Sequence, residues 1–212
     1  MISNKEHNDR ERFDRAIARI DAANGEDPNL ETVDGEPRPK ELVYSRRMSA
    51  MLERFAPDAP ETLHLAVRAQ HIQRWKIPRA EYPMTLAGYK QWRTQLQKFH
   101  AATTAAILHD AGYDALTIAR VETLLRKEKL KLDAEVQALE DVIDLVFIES
   151  YLEDFAAKHP EYDEAKWIDI LAKTWFKMSP RGREAALTMI RLPPALVPLI
   201  QKGVAAGERM AR

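Results

Sequence analysis

The segment from 134 to 159, AEVQALEDVIDLVFIESYLEDFAAKH, carries apolar residues around most of a helical circumference. A helix that is apolar on all sides is buried, so the chain must provide a core that surrounds it. Three acids, Glu140, Asp141 and Asp144, nevertheless lie inside this apolar run. A buried carboxylate without a partner is strongly destabilising, or its pKa shifts until it is neutral. At least one acid is therefore predicted to meet a hydrogen-bond donor, a metal ion or a cation, the candidate cations being Arg46, Arg47, Arg68, His71 and Arg93.

The rest of the chain shows helical periodicity interrupted by proline and glycine. Glycine is scarce, with 7 of 212 residues, and alternating strand patterns flanked by turn dipeptides are absent. Residues that commonly cap helices stand before several predicted helices, at Thr85, Asp114, Asp133, Asp163 and Ser179. The sequence therefore predicts an all-α fold.

No linker long enough to separate two cores interrupts the chain, so residues 1–212 are predicted to form a single compact multi-helix domain. Residues 1–9 are polar and are predicted to be flexible. The stretch 25–39 holds three prolines and two glycines and is predicted to be a surface loop.

Composition narrows the possible functions. The net charge is −1 and 31% of residues are charged, which weighs against nucleic acid as a partner. Cysteine is absent, which excludes disulfides, thiol catalysis and cysteine-ligated zinc. Residues 1–12 lack an apolar signal segment, and no apolar run is long enough to span a membrane. The chain is therefore predicted to be cytoplasmic; its oligomeric state is not predicted.

Polar residues recur on helical faces that ought to be apolar. The predicted helix over 61–75 places His64, Arg68, His71 and Trp75 on one stripe beside a buried edge. The helix from 85 aligns Tyr89, Arg93 and His100 in the same way. The alternatives are that the first stripe faces water and that His100 is a structural histidine. Together the stripes favour a polar pocket that contains several arginines.

The strings ELVYSRRM (41–48), RAQHIQRWKIPRAEYPMTLAGYKQWR (68–93) and LLRKEKLKLDAEVQALEDVIDLVF (124–147) carry a resemblance. With them the chain resembles the uncharacterised family named domain of unknown function 4202, over most of residues 10–190. Within the second string, the pattern HxxRWxIPRxxYPMxxxGYxxWR is long and specific. The family name implies no established activity.

The helix order is also similar, more distantly, to the HD-domain phosphohydrolases, which hold a divalent metal with histidines and aspartates from several helices. This resemblance implies one divalent metal ion held by His71, His100 and Asp141. The chain departs from the HD pattern at two places. Ile72 stands where the aspartate of the His-Asp pair is expected, and Tyr44 or Ser45 stands where the first histidine is expected.

If the stripes converge, guanidinium groups surround a histidine and buried acids, an arrangement typical of sites for phosphate or carboxylate ligands. We predict a phosphohydrolase that acts on a small phosphorylated or nucleotide-like, anionic substrate, with His71, Glu140 and Asp141 as the catalytic residues. The alternative is a non-catalytic helical protein that binds an anionic metabolite or a protein partner. The predicted substrate-binding residues are Arg47, Arg68, Arg74, Arg79, Tyr89, Arg93 and Lys127.

Overall fold

The structure is a computed structural model that describes residues 4–210. Its helices and strands are α1 (Asn4–Gly25), β1 (Leu30–Val33), β2 (Glu36–Pro39), α2 (Lys40–Phe55), α3 (Glu61–Ala69), α4 (Leu86–Ala111), α5 (Ala115–Leu125), α6 (Ala134–Val146), α7 (Leu152–Lys158), α8 (Glu164–Lys177), α9 (Pro180–Thr188) and α10 (Val197–Met210). The predicted all-α fold is confirmed. An HD-like arrangement stays a prediction.

The chain divides into two compact units, an N-terminal unit that ends at Lys129 and a C-terminal unit that begins at Leu130. The single domain over residues 1–212 stays a prediction. Within residues 4–210, no helix combines the length and the apolar character that a membrane span requires. The cytoplasmic location likewise stays a prediction.

In the N-terminal unit, α1, α2 and α5 pack against α3, and α4 packs against α1 and α5. Helix α3 is buried along most of its length because Leu63, Leu65 and Val67 all face other helices. Helix α2 contributes one buried stripe at helical spacing, which includes Met48 and Leu52. This packing fixes the start of α2 and the segment that follows α3.

Residues 25–39 lie mostly at the surface as predicted, but they do not form an irregular loop, because β1 and β2 pair as an antiparallel hairpin. Asp34 and Gly35 form its turn, with φ values of 52° and 82°. Positive φ at both central residues is the geometry of the tight hairpin turn that Asp-Gly sequences favour. The flexibility predicted for residues 1–9 stays a prediction; α1 begins at Asn4, and residues 1–3 lie outside the described part.

The predicted helix over 61–75 ends early, at Ala69. The chain reverses at Gln73, which has a φ of 50°, and the backbone N–H of Gln73 donates to the buried Asn24 Oδ1 at 3.0 Å. A short 3₁₀ turn follows at 74–76 and another at 79–81. His71 therefore lies in the turn after α3, and it does not share a continuous helical stripe with His64 and Arg68.

In the C-terminal unit, the apolar segment predicted as one helix over 134–159 is interrupted by a π-helical turn over 147–151. Helices α8 and α10 pack closely because two glycines of α10 face α8. A Cβ atom added to Gly203 would lie 2.4 Å from the Cβ atom of Leu171, so no larger residue fits there without movement.

Candidate functional site

Polar side chains from three parts of the N-terminal unit meet at one place. Glu41 comes from the first turn of α2, His71 and Arg74 come from the link between α3 and α4, and Arg93 and His100 come from α4. We call these five residues the His71 site. The neighbouring Tyr44 ring stacks on the His71 ring, with centroids 4.1 Å apart and an angle of 18° between the planes.

The contacts of His71 fix its protonation state. Arg74 Nη1 lies 2.6 Å from His71 Nε2. A guanidinium only donates hydrogen bonds, so Nε2 must be the acceptor and the ring is neutral, with its proton on Nδ1. Nδ1 lies 3.4 Å from Glu41 Oε2. The His71 side chain keeps 20% of its surface exposed, which leaves one edge open to a solute.

Positive charge dominates the surroundings of His71. Burial lowers the pKa of His71 well below its ordinary value, and nearby positive side chains lower this pKa further. Those side chains, in decreasing order of effect, are Arg74, Arg93, Lys127 and Lys40. Glu41 is the carboxylate beside the ring, so the positive side chains around His71 outnumber it.

Glu41 is nearly buried, with 7% of its surface exposed. Burial raises the pKa of Glu41 to about 7, although the charges of Arg74 and Lys40 lower it. Its backbone N–H donates to Asp27 Oδ2 at 3.0 Å, which anchors the first turn of α2. Near neutral pH this carboxyl group is therefore partly protonated.

The two arginines of the site have donors to spare. The Arg74 guanidinium lies over the Trp92 ring, 4.9 Å from its centroid, and contacts His71 through one nitrogen. Arg93 is half-buried and makes no hydrogen bond or ion pair with another residue of the 4–210 range. Its charge reaches His71, Arg74 and His100, since it lowers the pKa of each. Two guanidinium groups whose charges act on one another favour an anion between them.

A family model described as a domain of unknown function (DUF4202) matches residues 14–200. The chain belongs to this family. It matches none of the curated proteins and none of the solved structures with which it was compared. The segment 71–93, which carried the resemblance, supplies three of the five residues of the His71 site, namely His71, Arg74 and Arg93. Glu41 comes from the string 41–48, and His100 lies outside the three strings.

Two further residues predicted to bind substrate lie beside the site. Arg79 donates to the backbone oxygens of Tyr82 and Pro83, at 2.9 and 2.8 Å, and so holds the link between α3 and α4 in shape. The Tyr89 side chain is exposed, and its ring centroid lies 5.9 Å from that of Trp92. Tyr89 precedes Arg93 by one helical turn and lies on the same face of α4.

Arg47 and Arg68, also predicted to bind substrate, are committed to carboxylates elsewhere in the N-terminal unit. Arg47 pairs with Glu31 of the hairpin. Arg68 donates through Nε and Nη2 to the two carboxylate oxygens of Asp21, both at 2.6 Å. These bonds connect α2 to β1 and α3 to α1, so both arginines have a structural role.

The three acids of α6 are buried as the sequence predicts, with 2–3% of each residue exposed. The cation that meets two of them, Glu140 and Asp144, is Lys177, which was not among the candidate cations. Its Nζ lies 2.9 Å from Glu140 Oε1 and 2.8 Å from Asp144 Oδ1. Burial lowers the pKa of Lys177, but Asp144 and Glu140 raise it more, to about 12.

Asp141, predicted as a catalytic residue and metal ligand, is engaged within the C-terminal unit. It accepts hydrogen bonds from the backbone N–H of Ser179 at 2.8 Å and from Gln137 Nε2 at 3.1 Å. Burial raises the pKa of Asp141, while the bonds from Ser179 and Gln137 lower it. These contacts tie α6 to the start of α9.

The arrangement at His71 does not fit the divalent metal ion that the HD resemblance implies. Arg74 occupies the Nε2 lone pair that a metal would need, and the surrounding positive charges oppose a further cation. Across residues 4–210, no three His, Asp or Glu side chains are grouped as a metal site requires. We therefore derive no step through a metal.

Glu41 is the site residue that the sequence analysis missed. It was visible only as an acid in the first turn of a helix, a common stabilising position. The helical spacing of Glu41 indicates its burial, because Glu41 begins the buried stripe of α2 that continues through Tyr44 and Met48. An acid at the head of an apolar stripe indicates a buried carboxylate with a partner.

Proposed function

We propose that the His71 site binds the phosphate group of a small, nucleotide-like molecule and hydrolyses its ester. One observation carries this proposal: Arg74 and Arg93, with two lysines further out, surround a neutral histidine whose contacting carboxylate is Glu41. An excess of partly buried positive charge is stabilised when an anion enters. Guanidinium groups suit phosphate because their planar forks bind its oxygens in pairs.

In this proposal the phosphate oxygens bind between Arg74 and Arg93. Arg74 then exchanges its bond to His71 Nε2 for a stronger, charge-assisted bond to the ligand. The exposed Tyr89 ring offers an aromatic face to a base or another ring of the ligand. The net charge of −1 for the whole chain does not oppose such a site, because the excess of positive charge is local.

Release of His71 Nε2 gives the site a general base. A water oxygen forms its bond to phosphorus while one of its protons passes to His71 Nε2. The bond between phosphorus and the ester oxygen breaks, and that oxygen leaves with the bonding pair and takes the proton back from His71. Glu41 accepts the Nδ1–H bond and stabilises the ring while it is positively charged. Glu41 thus takes the role that the sequence analysis gave to Glu140 and Asp141.

The alternative is that the site binds an anionic metabolite without reaction. The contacts of His71 favour this alternative. Arg74 occupies Nε2 and Glu41 lies beside Nδ1, so neither ring nitrogen is available to a water molecule. The alternative requires that Arg74 keeps this contact when the ligand is bound.

Phosphate release from a panel of nucleotides and other phosphorylated small molecules tests the proposal. His71→Gln should abolish release from any substrate that the wild-type protein hydrolyses, with little change in melting temperature. His109→Ala is the matched control, since the His109 side chain is 81% exposed on α4. Release that survives in His71→Gln would remove His71 as the base. Binding without release in the wild-type protein would select the alternative.

A further inference from the structure

His100 is the most deeply buried member of the His71 site, with 4% of its surface exposed. Its ring centroid lies 5.9 Å from that of His71, and the Phe99 ring packs edge-on at 6.0 Å. The charges of Arg74 and Arg93 both reach it. His100 therefore belongs to the inner end of the site, although the proposed reaction gives it no role.

The hydrogen bonding of His100 leaves one atom unmatched. Hydrogen bonding to the backbone of Gln70 raises the pKa of His100, whereas Nε2 is buried and has no hydrogen-bond partner within residues 4–210. The bond to Gln70 must then use Nδ1, which carries the ring proton, so Nε2 is an acceptor. Burial and the charge of His71, Arg74 and Arg93 lower the pKa of His100 well below its ordinary value, which keeps the ring neutral.

Because Nε2 of His100 is a hydrogen-bond acceptor, it cannot bind the oxygens of a phosphate anion, which are acceptors as well. It needs a hydroxyl or an amine N–H, and an unmatched buried acceptor is unfavourable until one arrives. Its closeness to the two arginines means that the same ligand can supply the anion and the donor.

We propose that His100 Nε2 accepts a hydrogen bond from an alcohol hydroxyl of the ligand, so that the His71 site selects phosphorylated polyols over phosphate esters without hydroxyls. Sugar phosphates and nucleotides, with their ribose hydroxyls, belong to the selected class. This inference rests on the proposed phosphate site and adds a specificity-determining residue to it.

Two phosphonates of equal length and charge, which a phosphohydrolase does not cleave, test the selection. They are 3,4-dihydroxybutylphosphonate and butylphosphonate, whose dissociation constants are measured by calorimetry. A buried acceptor that gains its donor predicts that the wild-type protein binds the dihydroxy compound at least about fivefold more tightly. In His100→Asn the ratio should fall to about one. The asparagine amide can still donate to Gln70, but Nε2 is gone. His109→Asn is the matched control and should keep the wild-type ratio.

The outcomes separate this inference from the proposed function. Equal affinities of the wild-type protein for the two compounds would overturn the role of His100. If Arg93→Gln then weakens the binding of both compounds equally, the proposed phosphate site still stands. A failure to bind either compound would overturn both ideas. If His100→Asn does not fold, ¹⁵N NMR of the wild-type protein decides. The Nε2 resonance of His100 should shift with the dihydroxy compound and not with butylphosphonate, and identical spectra would contradict the inference.

Discussion

Replacing Glu41 with glutamine should remove a pH-dependent loss of stability. Burial raises the pKa of Glu41 to about 7 in the folded protein, from an ordinary value of 4.5. Between these values the folded state holds a proton that the unfolded state has released, so the free energy of unfolding falls as pH rises. The difference between the two pKa values corresponds to about 3 kcal/mol, of which about 2 kcal/mol is lost between pH 5.5 and 8.

Glutamine keeps the shape of the side chain and an oxygen for His71 Nδ1–H, but it does not ionise. The groups around the carboxyl are Arg74, Lys40 and His71, which the substitution leaves in place. Urea unfolding at pH 5.5 and 8 measures the effect, with Glu53→Gln, an exposed position on the same helix, as the control. Glu41→Gln should lose about 2 kcal/mol less than the wild-type protein over this interval. Parallel losses in both proteins would refute the raised pKa and the buried Glu41–His71 pair.

Three further predictions concern the surroundings of the site, the C-terminal unit and the metal. Lys177→Met leaves Glu140 and Asp144 buried without their cation and should lower the free energy of unfolding by about 2 kcal/mol. The expected loss is smaller than for a fully buried pair because the Lys177 side chain is 41% exposed. An unchanged free energy of unfolding in urea would contradict this prediction. Gly88→Ala places a Cβ atom 2.2 Å from the backbone oxygen of Pro83 and should destabilise the folded protein by about 1–3 kcal/mol. Ala87→Ser, at the adjacent exposed position, is the control and should leave the stability unchanged. Equal melting temperatures of the two variants would argue against the tight contact at Gly88. Treatment with a chelator should leave phosphate binding unchanged in calorimetry, and loss of binding that added metal restores would show that a metal does belong to the site.

Features that depend on neighbouring residues in sequence were predicted well. The caps at Thr85, Asp114 and Asp133 accept hydrogen bonds from the first turns of α4, α5 and α6, as their positions indicate. The hairpin at 30–39 was missed although its Asp-Gly turn is a local signal, because prolines and glutamates obscured any strand alternation. The end of α3 had no local signal, since the buried Asn24, far away in sequence, holds the turn at Gln73.

Part of the site was predictable because several of its residues lie close together in the sequence. His71, Arg74, Arg93 and His100 were named from one stretch of the chain, and helical spacing placed Arg93 and His100 on one face of α4. The choice of carboxylate failed, because apolar neighbours in sequence show that an acid is buried but not which cation it meets. Glu140 and Asp144 meet Lys177, whereas the acid beside His71 is Glu41, 30 residues earlier in the chain.

The most direct test of the central claim, that Arg74 and Arg93 hold a phosphate group beside His71, is calorimetric titration with inorganic phosphate. Wild-type protein is compared with Arg93→Gln and with Lys98→Gln, which removes a charge from an exposed position on the same helix. Loss of a charge-assisted bond should weaken binding at least about tenfold in Arg93→Gln, with less than about twofold change in Lys98→Gln. Equal affinities for all three proteins, or no binding to the wild-type protein, would contradict the account.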